Sequence, residues 1–337
     1  MVEYRKIENR GSFFMNFSVS ITPTRAIDDL LEFKKRRFPE KAGEILKFSG
    51  AEGYDVYNTS VPFDYRGTTV MAGRVESRDS EASTTMFFEK TPEGYKLMPQ
   101  TDKIKNLQDP FVAEIGGRLI LGGVDAIWRD DGSLVTYHTD FYDASELSHP
   151  RHIIHGPAEM KDIRLLELPD GRVAVFTRPN GRAVAKYGIT AAVGFVLVDD
   201  LREVTEKVIA EAPLIKWLFA DDEWGGCNQL HNLKNGLVGI IGHKSWGEMM
   251  GGAHILHYYC FASAIDPDTR EIAPLKIIGS RECFPPLDCK NPRVKDVCFT
   301  SGIIRNGDGT AYLYSGLNDC GEGVVKIEDP FAEYENN

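Results

Sequence analysis

Apolar and polar residues alternate in short runs along most of this chain, and clusters of Gly, Asp and Pro separate the runs. This pattern is typical of β-strands joined by tight turns, because successive side chains of a strand face opposite sides of a sheet. One segment differs, since residues 24–37 carry apolar side chains at helical spacing. Thr24 can cap this predicted helix, and Pro39 marks its end. Its apolar edge consists of Ile27, Leu30, Leu31 and Phe38.

A weak internal repeat organises the predicted strands into five units. Each unit begins at an Asp or Asn, runs as an apolar strand, turns at a Gly and returns as a second apolar strand, which further strand-like residues follow. The leading residues are Asp55, Asp109, Asp162, Asn228 and Asp296. The ends of the second strands keep the same register, at Arg74, Val124, Arg178, His243 and Gly316. This arrangement predicts an all-β fold, a five-bladed β-propeller with a short N-terminal helix.

The repeat also predicts how the chain is divided. Residues 1–52 are an N-terminal extension that contains the helix and packs on the propeller, residues 53–331 are the propeller domain that carries catalysis, and residues 332–337 are a tail. A charged segment at 199–223 is predicted to be a loop or short helix between the third and fourth units. Two separate domains stay an alternative, although the sequence has no linker rich in Pro, Ser or Gly.

Composition narrows the classes of partner. The chain has 337 residues, 42% of them hydrophobic and 26% charged, and a net charge of −11, which argues against nucleic acid and anionic membrane surfaces as partners. The sequence has no apolar run of the roughly 20 residues that a membrane helix needs, and its N-terminus does not resemble a signal peptide. Its six cysteines form no Cys-x-x-Cys pair. We therefore expect a cytoplasmic protein with reduced thiols; its oligomeric state stays open.

Acidic residues are candidates for catalysis. In a propeller, the innermost strand of each blade lines a central funnel, so Asp55, Asp109 and Asp162 are expected around one axis. Converging carboxylates supply the acid and base groups that glycosyl transfer needs. Each Asp can instead begin a turn and cap a strand end, so a purely structural role stays open.

A basic group follows the strand ends. It consists of Arg74, Lys161, Arg178, His243 and Lys244. Such side chains around a pocket can hold phosphate, although separate ion pairs at the strand ends are an equal alternative. Two tryptophans beside Gly-rich turns, Trp224 and Trp246, are candidates for pocket walls that stack on a sugar.

The sequence gives little support for a metal or an organic cofactor. His149, His152 and His155 are spaced by three, but Pro150 lies among them and argues for a loop, so no metal site is predicted. Nucleotide-binding Gly patterns and the zinc-protease pattern are absent from the sequence.

Several segments resemble a known family. QDPFVAEIGGRLILGG, from Gln108, resembles the Glu-Asp-Pro-Arg segment of the inverting β-mannoside phosphorylases, and MKDIRLLELPDGRVAVFTRP, from Met160, resembles their Lys-Asp segment. GLVGIIGHK and YLYSGLND are similar to strands of their last two blades. The matches fall in order over about residues 53–331. Within this clan, the chain resembles the mannogen-type β-1,2-mannosyltransferase/phosphorylases, a former domain of unknown function.

The resemblance implies five-bladed propellers that transfer mannose between GDP-mannose or α-mannose 1-phosphate and β-1,2-linked mannosides. Asp109 matches the catalytic aspartate, a general acid that acts through a hydroxyl of the sugar. The residues expected to hold phosphate are Arg74, Lys161, Arg178, His243 and Tyr258. The residues expected to bind the sugar are Asp55, Asn58, Asp162, Trp224 and Asp319. Gln108 and Phe111 stand where the phosphorylase segment has Glu and Arg.

The resemblance implies that phosphate attacks the anomeric carbon while Asp109 protonates the leaving oxygen. Inorganic phosphate is then a co-substrate, and no cofactor is required. Three alternatives stay open. A β-mannoside hydrolase would need Asp55 or Asp162 as a second carboxylate, a carbohydrate-binding propeller would need no catalysis, and a propeller lactonase would need calcium.

Overall fold

The computed structural model describes residues 5–6, 16–18, 21–36, 38–129, 131–215 and 218–335. The fold is mostly β, and most strands belong to antiparallel runs in which each strand pairs with the next along the chain. Within the described residues, no helix is long and apolar enough to cross a membrane. All six cysteines are free thiols, as expected.

The N-terminal region contributes a helix and short strands. Its elements are β1 (Arg5–Lys6), β2 (Asn16–Phe17), α1 (Ala26–Lys35), β3 (Glu44–Ile45) and β4 (Phe48–Ser49). The next sheet joins β4 to β5 (Asp55–Tyr57), β6 (Phe63–Tyr65), β7 (Thr68–Glu76), β8 (Thr84–Thr91), β9 (Gly94–Leu97) and β10 (Ile104–Lys105).

Two four-stranded sheets follow. The first contains β11 (Leu107–Ile115), β12 (Arg118–Trp128), β13 (Leu134–Asp143) and β14 (Arg151–His155). The second contains β15 (Arg164–Glu167), β16 (Val173–Thr177), β17 (Val193–Val198) and β18 (Leu214–Ile215). The predicted insertion at 199–223 forms a 3₁₀ turn (Leu201–Glu203), α2 (Glu206–Glu211) and β18, which extends the second of these sheets.

The last sheet combines two antiparallel runs through a short parallel contact between β21 and β23. The first run contains β19 (Trp224–Asn232), β20 (Val238–Met250), β21 (Ala253–Ile265) and β22 (Lys276–Gly279). The second contains β23 (Asp296–Arg305), β24 (Thr310–Leu317) and β25 (Gly321–Glu328), and α3 (Ala332–Glu335) follows. β3 pairs with β25, so a segment from near the N-terminus completes the C-terminal run. The division into five blades and the domain boundaries stay predictions.

Three strands that begin such runs contain a shift in pairing register, which marks a β-bulge. The pairing register shifts at 108–111 in β11, at 227–229 in β19 and at 300–302 in β23. A bulge takes a residue out of the ladder and re-aims its side chain. Asp109 and Asn228, which lead the second and fourth repeats, both occupy such bulges. In these two units, the leading residue of the repeat therefore coincides with a bulge of the strand.

The predicted helix is present but shorter, and its local details differ from the expectation. α1 spans Ala26–Lys35, and its N-cap residue is Arg25, whose side chain makes no capping bond. The Ala26 amide instead donates to the buried carboxylate of Glu223, 2.7 Å away. Thr24 donates to Asp29 and does not cap the helix, because a distant carboxylate already accepts from the first amide.

The buried face of α1 also differs from the predicted edge. Ala26, Leu30 and Phe33 are buried, whereas Ile27 and Leu31 are 41% and 51% exposed. The helix buries the positions i, i+4 and i+7, which share one face at 3.6 residues per turn. Phe38 packs against Phe33 with ring centroids 5.4 Å apart, so this member of the predicted edge does contribute to the core. Arg37, the predicted end, lies outside the described residues.

Lys244, on β20, attaches α1 to the sheet. Its side chain is fully buried, and Nζ lies 2.7 Å from Asp29, 2.6 Å from the Thr24 carbonyl and 3.3 Å from Glu223. Neighbouring residues of a strand point to opposite faces, so Lys244 faces the helix while His243 faces the other way. The grouping of Lys244 with the basic site residues is therefore wrong.

Candidate functional site

Asp109 lies at the centre of a buried polar cluster. It adopts a left-handed backbone conformation, with φ of 49°, which is uncommon for a residue other than glycine. Its Oδ1 accepts hydrogen bonds from Asn58 Nδ2 at 2.8 Å and from Arg74 Nη1 at 3.0 Å. Within the described chain, no residue hydrogen-bonds to Oδ2 of Asp109. The carboxylate is thus fixed through one oxygen, which leaves the other available to a bound molecule.

Arg74 is surrounded by carboxylates. Besides Asp109, its guanidinium donates to Glu76 at 2.9 and 3.0 Å and to Glu81 at 3.0 Å. Lys290 lies against the same two glutamates, 2.7 Å from Glu81, and also contacts Glu76. This network balances the buried negative charges and holds Arg74 against Asp109. Phosphate binding by Arg74 stays a prediction.

A second polar cluster is formed by Asp162, Arg178, His243 and Asn228. Arg178 Nη1 lies 2.6 Å from Asp162, whose backbone is also left-handed, with φ of 57°. Burial acts to raise the pKa of Asp162, but Arg178 and the other basic side chains around it together outweigh burial and hold this pKa below its usual range. His243 Nδ1 lies 2.7 Å from Asn228 Oδ1, and burial lowers the pKa of His243 to about 3. His243 is therefore neutral near pH 7.

Tyr258, Trp224 and Lys161 border the second cluster. The ring of Tyr258 stacks on His243 with centroids 5.6 Å apart, and its hydroxyl accepts from Trp224 Nε1 at 2.9 Å. Lys161 precedes Asp162 and is partly buried; among the described residues it has no hydrogen bond or ion pair. The predicted phosphate residues Lys161, Arg178, His243 and Tyr258 thus surround Asp162.

Arg164 and Asp319 link the two clusters electrostatically. Arg164 is buried, lies 3.8 Å above the ring of Phe111 and donates to the Asn228 carbonyl at 2.7 Å. The charges of Asp162 and Asp109 both act on its pKa. Burial raises the pKa of Asp319 to about 6; Arg74 lowers it and Asp109 raises it further. The pKa of Asp319 is therefore close to neutral pH.

Some predicted residues lie elsewhere. Asp55 forms a two-bonded ion pair with Arg78, and Asn58, three residues later, makes the contact with Asp109. Trp246 stacks on His257 with centroids 4.3 Å apart, and Asp296 bonds the same histidine at 2.6 Å. Asp296 therefore does not correspond to Asp109, because the bulge of its strand falls later, at 300–302.

Other residues of the clusters were missed by sequence reasoning. They are Glu76, Glu81, Arg164, Asn228 and Lys290. Asn228 leads the fourth repeat unit, so the repeat gave a signal for it. Glu76 ends β7, two residues after Arg74, and was close to a residue that the repeat marked. Lys290 gave none, because it reaches Glu76 across 214 positions of sequence.

Several buried atoms of these clusters lack a partner. Asn58 Oδ1, Asp162 Oδ1, Arg178 Nε and Asn228 Nδ2 are buried and make no hydrogen bond to the described residues. Leaving a buried polar atom unpaired costs about 1–3 kcal/mol, so such atoms are rare outside functional or strained sites. The backbone is also left-handed at Asn58, Asp109 and Asp162. Unpaired buried atoms and strained backbone both lower the stability of the fold, and they are typical of functional sites.

The protein is thus mostly β and contains two buried clusters in which carboxylates pair with basic side chains. A family model described as "Protein of unknown function (DUF1861)" matches residues 32–333, and the chain belongs to this family. This membership, with the structural likenesses that follow, confirms the resemblance found in the sequence. No curated protein sequence matches the chain.

Solved structures are similar over nearly the whole chain. MPT-4, a mannose phosphorylase from Leishmania mexicana in complex with a phosphate ion, is 37% identical, with a TM-score of 0.83 over 91% of this chain and 94% of that one. MPT-1, a GDP-Man-dependent mannosyltransferase from Leishmania mexicana, is 33% identical, with a TM-score of 0.82 over 91% and 95%. The β-1,2-mannobiose phosphorylase from Listeria innocua, at 14% identity and a TM-score of 0.56 over 84% and 93%, shares the fold.

Proposed function

We propose that the protein catalyses inverting mannosyl transfer and phosphorolysis on β-1,2-linked mannosides, with α-mannose 1-phosphate or GDP-mannose as the donor in synthesis. The observation that carries the proposal is the Asp109 carboxylate, held by Asn58 and Arg74 through one oxygen and close to a buried basic cluster. The likeness to a mannose phosphorylase and a mannosyltransferase supports the choice of sugar.

In the proposed reaction, Asp109 is the general acid. Phosphate, held by Lys161, Arg178 and Tyr258, attacks the anomeric carbon from the face opposite the leaving sugar. Asp109 delivers a proton toward the leaving oxygen, and α-mannose 1-phosphate forms through a transition state with oxocarbenium character. In synthesis, the same carboxylate accepts the proton of the acceptor hydroxyl. Inorganic phosphate is a co-substrate, and no organic cofactor takes part.

The neighbouring side chains have supporting roles in this proposal. Neutral His243 donates from Nδ1 to Asn228, so its Nε2 can accept a hydrogen bond from a protonated phosphate oxygen, whereas Arg178 supplies the positive charge. Arg74 positions Asp109, because its donors already face three carboxylates. Arg164, above Phe111, supplies positive charge close to the position where the related phosphorylases have Arg. Asn58, Asp162, Trp224 and Asp319 are proposed to bind sugar hydroxyls or a sugar face.

The same proposal covers the architecture. The antiparallel runs are the blades of a five-bladed propeller formed by residues 53–331, with residues 1–52 as an extension and 332–337 as a tail. The site then lies at the axis, where the first strands of the blades meet. We place the protein in the cytoplasm, with small carbohydrates and phosphate or a nucleotide sugar as its partners.

A hydrolase on the same fold is the second candidate, and Asp319 favours it. A hydrolase needs a second carboxyl group to activate water. Asp55 and Asp162 are engaged with Arg78 and Arg178, whereas Asp319 has a pKa of about 6 and senses the charge of Asp109. Dependence on phosphate distinguishes the two reactions.

The test is an incubation of the protein with β-1,2-mannobiose, with and without phosphate, with products separated by chromatography. We expect α-mannose 1-phosphate only when phosphate is present. Free mannose in both incubations supports the hydrolase. No product in either, and no transfer from GDP-mannose, contradicts both enzymatic readings.

The variant Asp109→Asn tests the role of the carboxylate. Asparagine keeps an oxygen that accepts from Asn58 and Arg74, so the fold should be retained. Loss of general acid catalysis should lower kcat by about 10²–10⁴-fold. Asp308→Asn, in an exposed turn, is the matched control. An Asp109→Asn variant as active as this control would refute the assignment.

A further inference from the structure

A separate cluster of histidines and aspartates lies on β12, β13 and β14. Asp125 on β12 is the cross-strand neighbour of His138 on β13, and Asp140 on β13 is the neighbour of His155 on β14. His138 and Asp140 are two residues apart and so share one face of the sheet. The four side chains therefore form two adjacent cross-strand pairs on that face. The cluster lies in the same sheet as β11, which carries Asp109, and Asp125 is the cross-strand neighbour of Leu107 on β11.

The donor atoms of these residues converge. His138 Nε2 lies 3.4 Å from Asp125 Oδ2 and 3.6 Å from Asp140 Oδ1, and His155 Nδ1 lies 2.8 Å from Asp140 Oδ1. The ligand atoms of His138, Asp140 and His155 all lie within 4.8 Å of one another. Neighbouring ligands of a tetrahedral Zn²⁺ ion with bonds of 2.0–2.2 Å are about 3.3–3.6 Å apart. The observed spacing is close to that of a set of zinc ligands.

The charges of the cluster also favour a cation. Asp140 is buried, and Asp125 is about one quarter exposed. Among the described residues, no Arg or Lys side chain pairs with either carboxylate; their ion-pair partners are histidines. A buried carboxylate normally requires a compensating positive charge. Two carboxylates and two imidazoles together suit a divalent ion that accepts both nitrogen and oxygen ligands.

We propose that His138, Asp140 and His155 bind a Zn²⁺ ion, with Asp125 adding negative charge beside His138. His152 Nε2 lies 3.2 Å from the second oxygen of Asp140, where it can orient this carboxylate. The ion ties the outer strand β14 to β13. This site differs from the expectation of no metal, because two of its ligands, His138 and Asp140, come from the neighbouring strand β13 and lie outside the histidine spacing seen in the sequence. His149 of the sequence pattern is remote, since it pairs with Asp102 at 4.0 Å.

The test uses the full chain without an affinity tag, freed of metal by a chelator. Isothermal titration with Zn²⁺ should give one site per chain, and bound zinc should remain after gel filtration. His155→Ala is the test variant, because His155 is half exposed and its loss should spare the fold. We expect zinc affinity to fall at least tenfold in this variant and to be unchanged in His149→Ala, the matched control.

Thermal unfolding gives a second readout. Zinc should raise the Tm of the wild type and of His149→Ala, and should leave that of His155→Ala nearly unchanged, because only binding to the folded state stabilises. Asp140→Asn, if it folds, should behave like His155→Ala. Absence of saturable zinc binding, equal affinity in His155→Ala, or preference for Ca²⁺ over Zn²⁺ would each overturn the proposal.

Discussion

Glu322 gives a quantitative prediction that does not depend on the enzymatic activity. Its side chain is completely buried on β25; Oε1 accepts from Ser301 Oγ at 2.7 Å and Oε2 from the Thr59 amide at 3.1 Å. Burial raises its pKa to about 8 from an ordinary value of 4.5. At pH 7 this carboxyl group is therefore protonated in the folded protein and ionised in the unfolded chain.

The sign and size of the effect follow from proton linkage. Between pH 4.5 and about 8, the folded state holds a proton that the unfolded state has released. The free energy of unfolding therefore falls as pH rises, by about 1.4 kcal/mol per pH unit and about 5 kcal/mol over the window. Glu322→Gln removes this dependence. Its amide can donate to the Ser301 hydroxyl, which can also act as an acceptor, and its oxygen can accept from the Thr59 amide.

The assay is urea unfolding of wild type and Glu322→Gln at pH 5, 6, 7 and 8. The two proteins should be about equally stable at pH 5, and the variant should be more stable by several kcal/mol at pH 8. Glu328→Gln, an exposed change on the same strand, should follow the wild type. Parallel pH dependences for wild type and Glu322→Gln, or a variant that is destabilised at every pH, would refute the reasoning.

Two further substitutions test contacts that only the fold creates. Lys244→Met should destabilise the protein by about 3–5 kcal/mol, since it removes the cation of Asp29 and the nearer of the two cations beside buried Glu223, the other being Arg25 at 3.6 Å; urea unfolding measures this, and a loss below about 1 kcal/mol contradicts it. Gly316→Ala should lower mannoside phosphorolysis at least tenfold, because its Cβ would overlap the Asn58 side chain that holds Asp109. In the double variant with Asn58→Ala, activity should fall little further. Additive losses of activity would show that Gly316→Ala does not act through Asn58.

Much of the fold could be predicted from local pattern. The strand-like segments at 83–90, 133–143 and 253–267 form β8, β13 and β21 within a few residues of the expected bounds. The repeat singled out Asp109 and Asp162, because each follows the same pattern of turn glycines and apolar runs. Both residues lie in buried polar clusters. The predicted alignment of the strand ends is wrong in several units, since Val124 and His243 lie inside β12 and β20 and Arg178 follows the end of β16.

The errors occurred where pairing between distant segments decides the outcome. Asp55 and Asn58 were equally plausible in the sequence, but only the backbone turn at Asn58, with φ of 44°, aims a side chain at Asp109. Lys244 was grouped with His243 because the two are adjacent, although alternation along the strand sends them to opposite faces. α1 is capped by Glu223, which lies 197 positions from Ala26 in the sequence.

The sequence by itself predicted most strands and turns, the family, and Asp109 as a candidate catalytic residue. Hydrophobic alternation, turn glycines and short segments that resemble those of a family are all local properties. Tertiary structure alone decided the surroundings of Asp109: the network of Arg74 and Lys290, the pKa of Asp319 and the cluster around His138. Burial and charge proximity set those properties. Both depend on which strands come together, and no stretch of sequence contains that information.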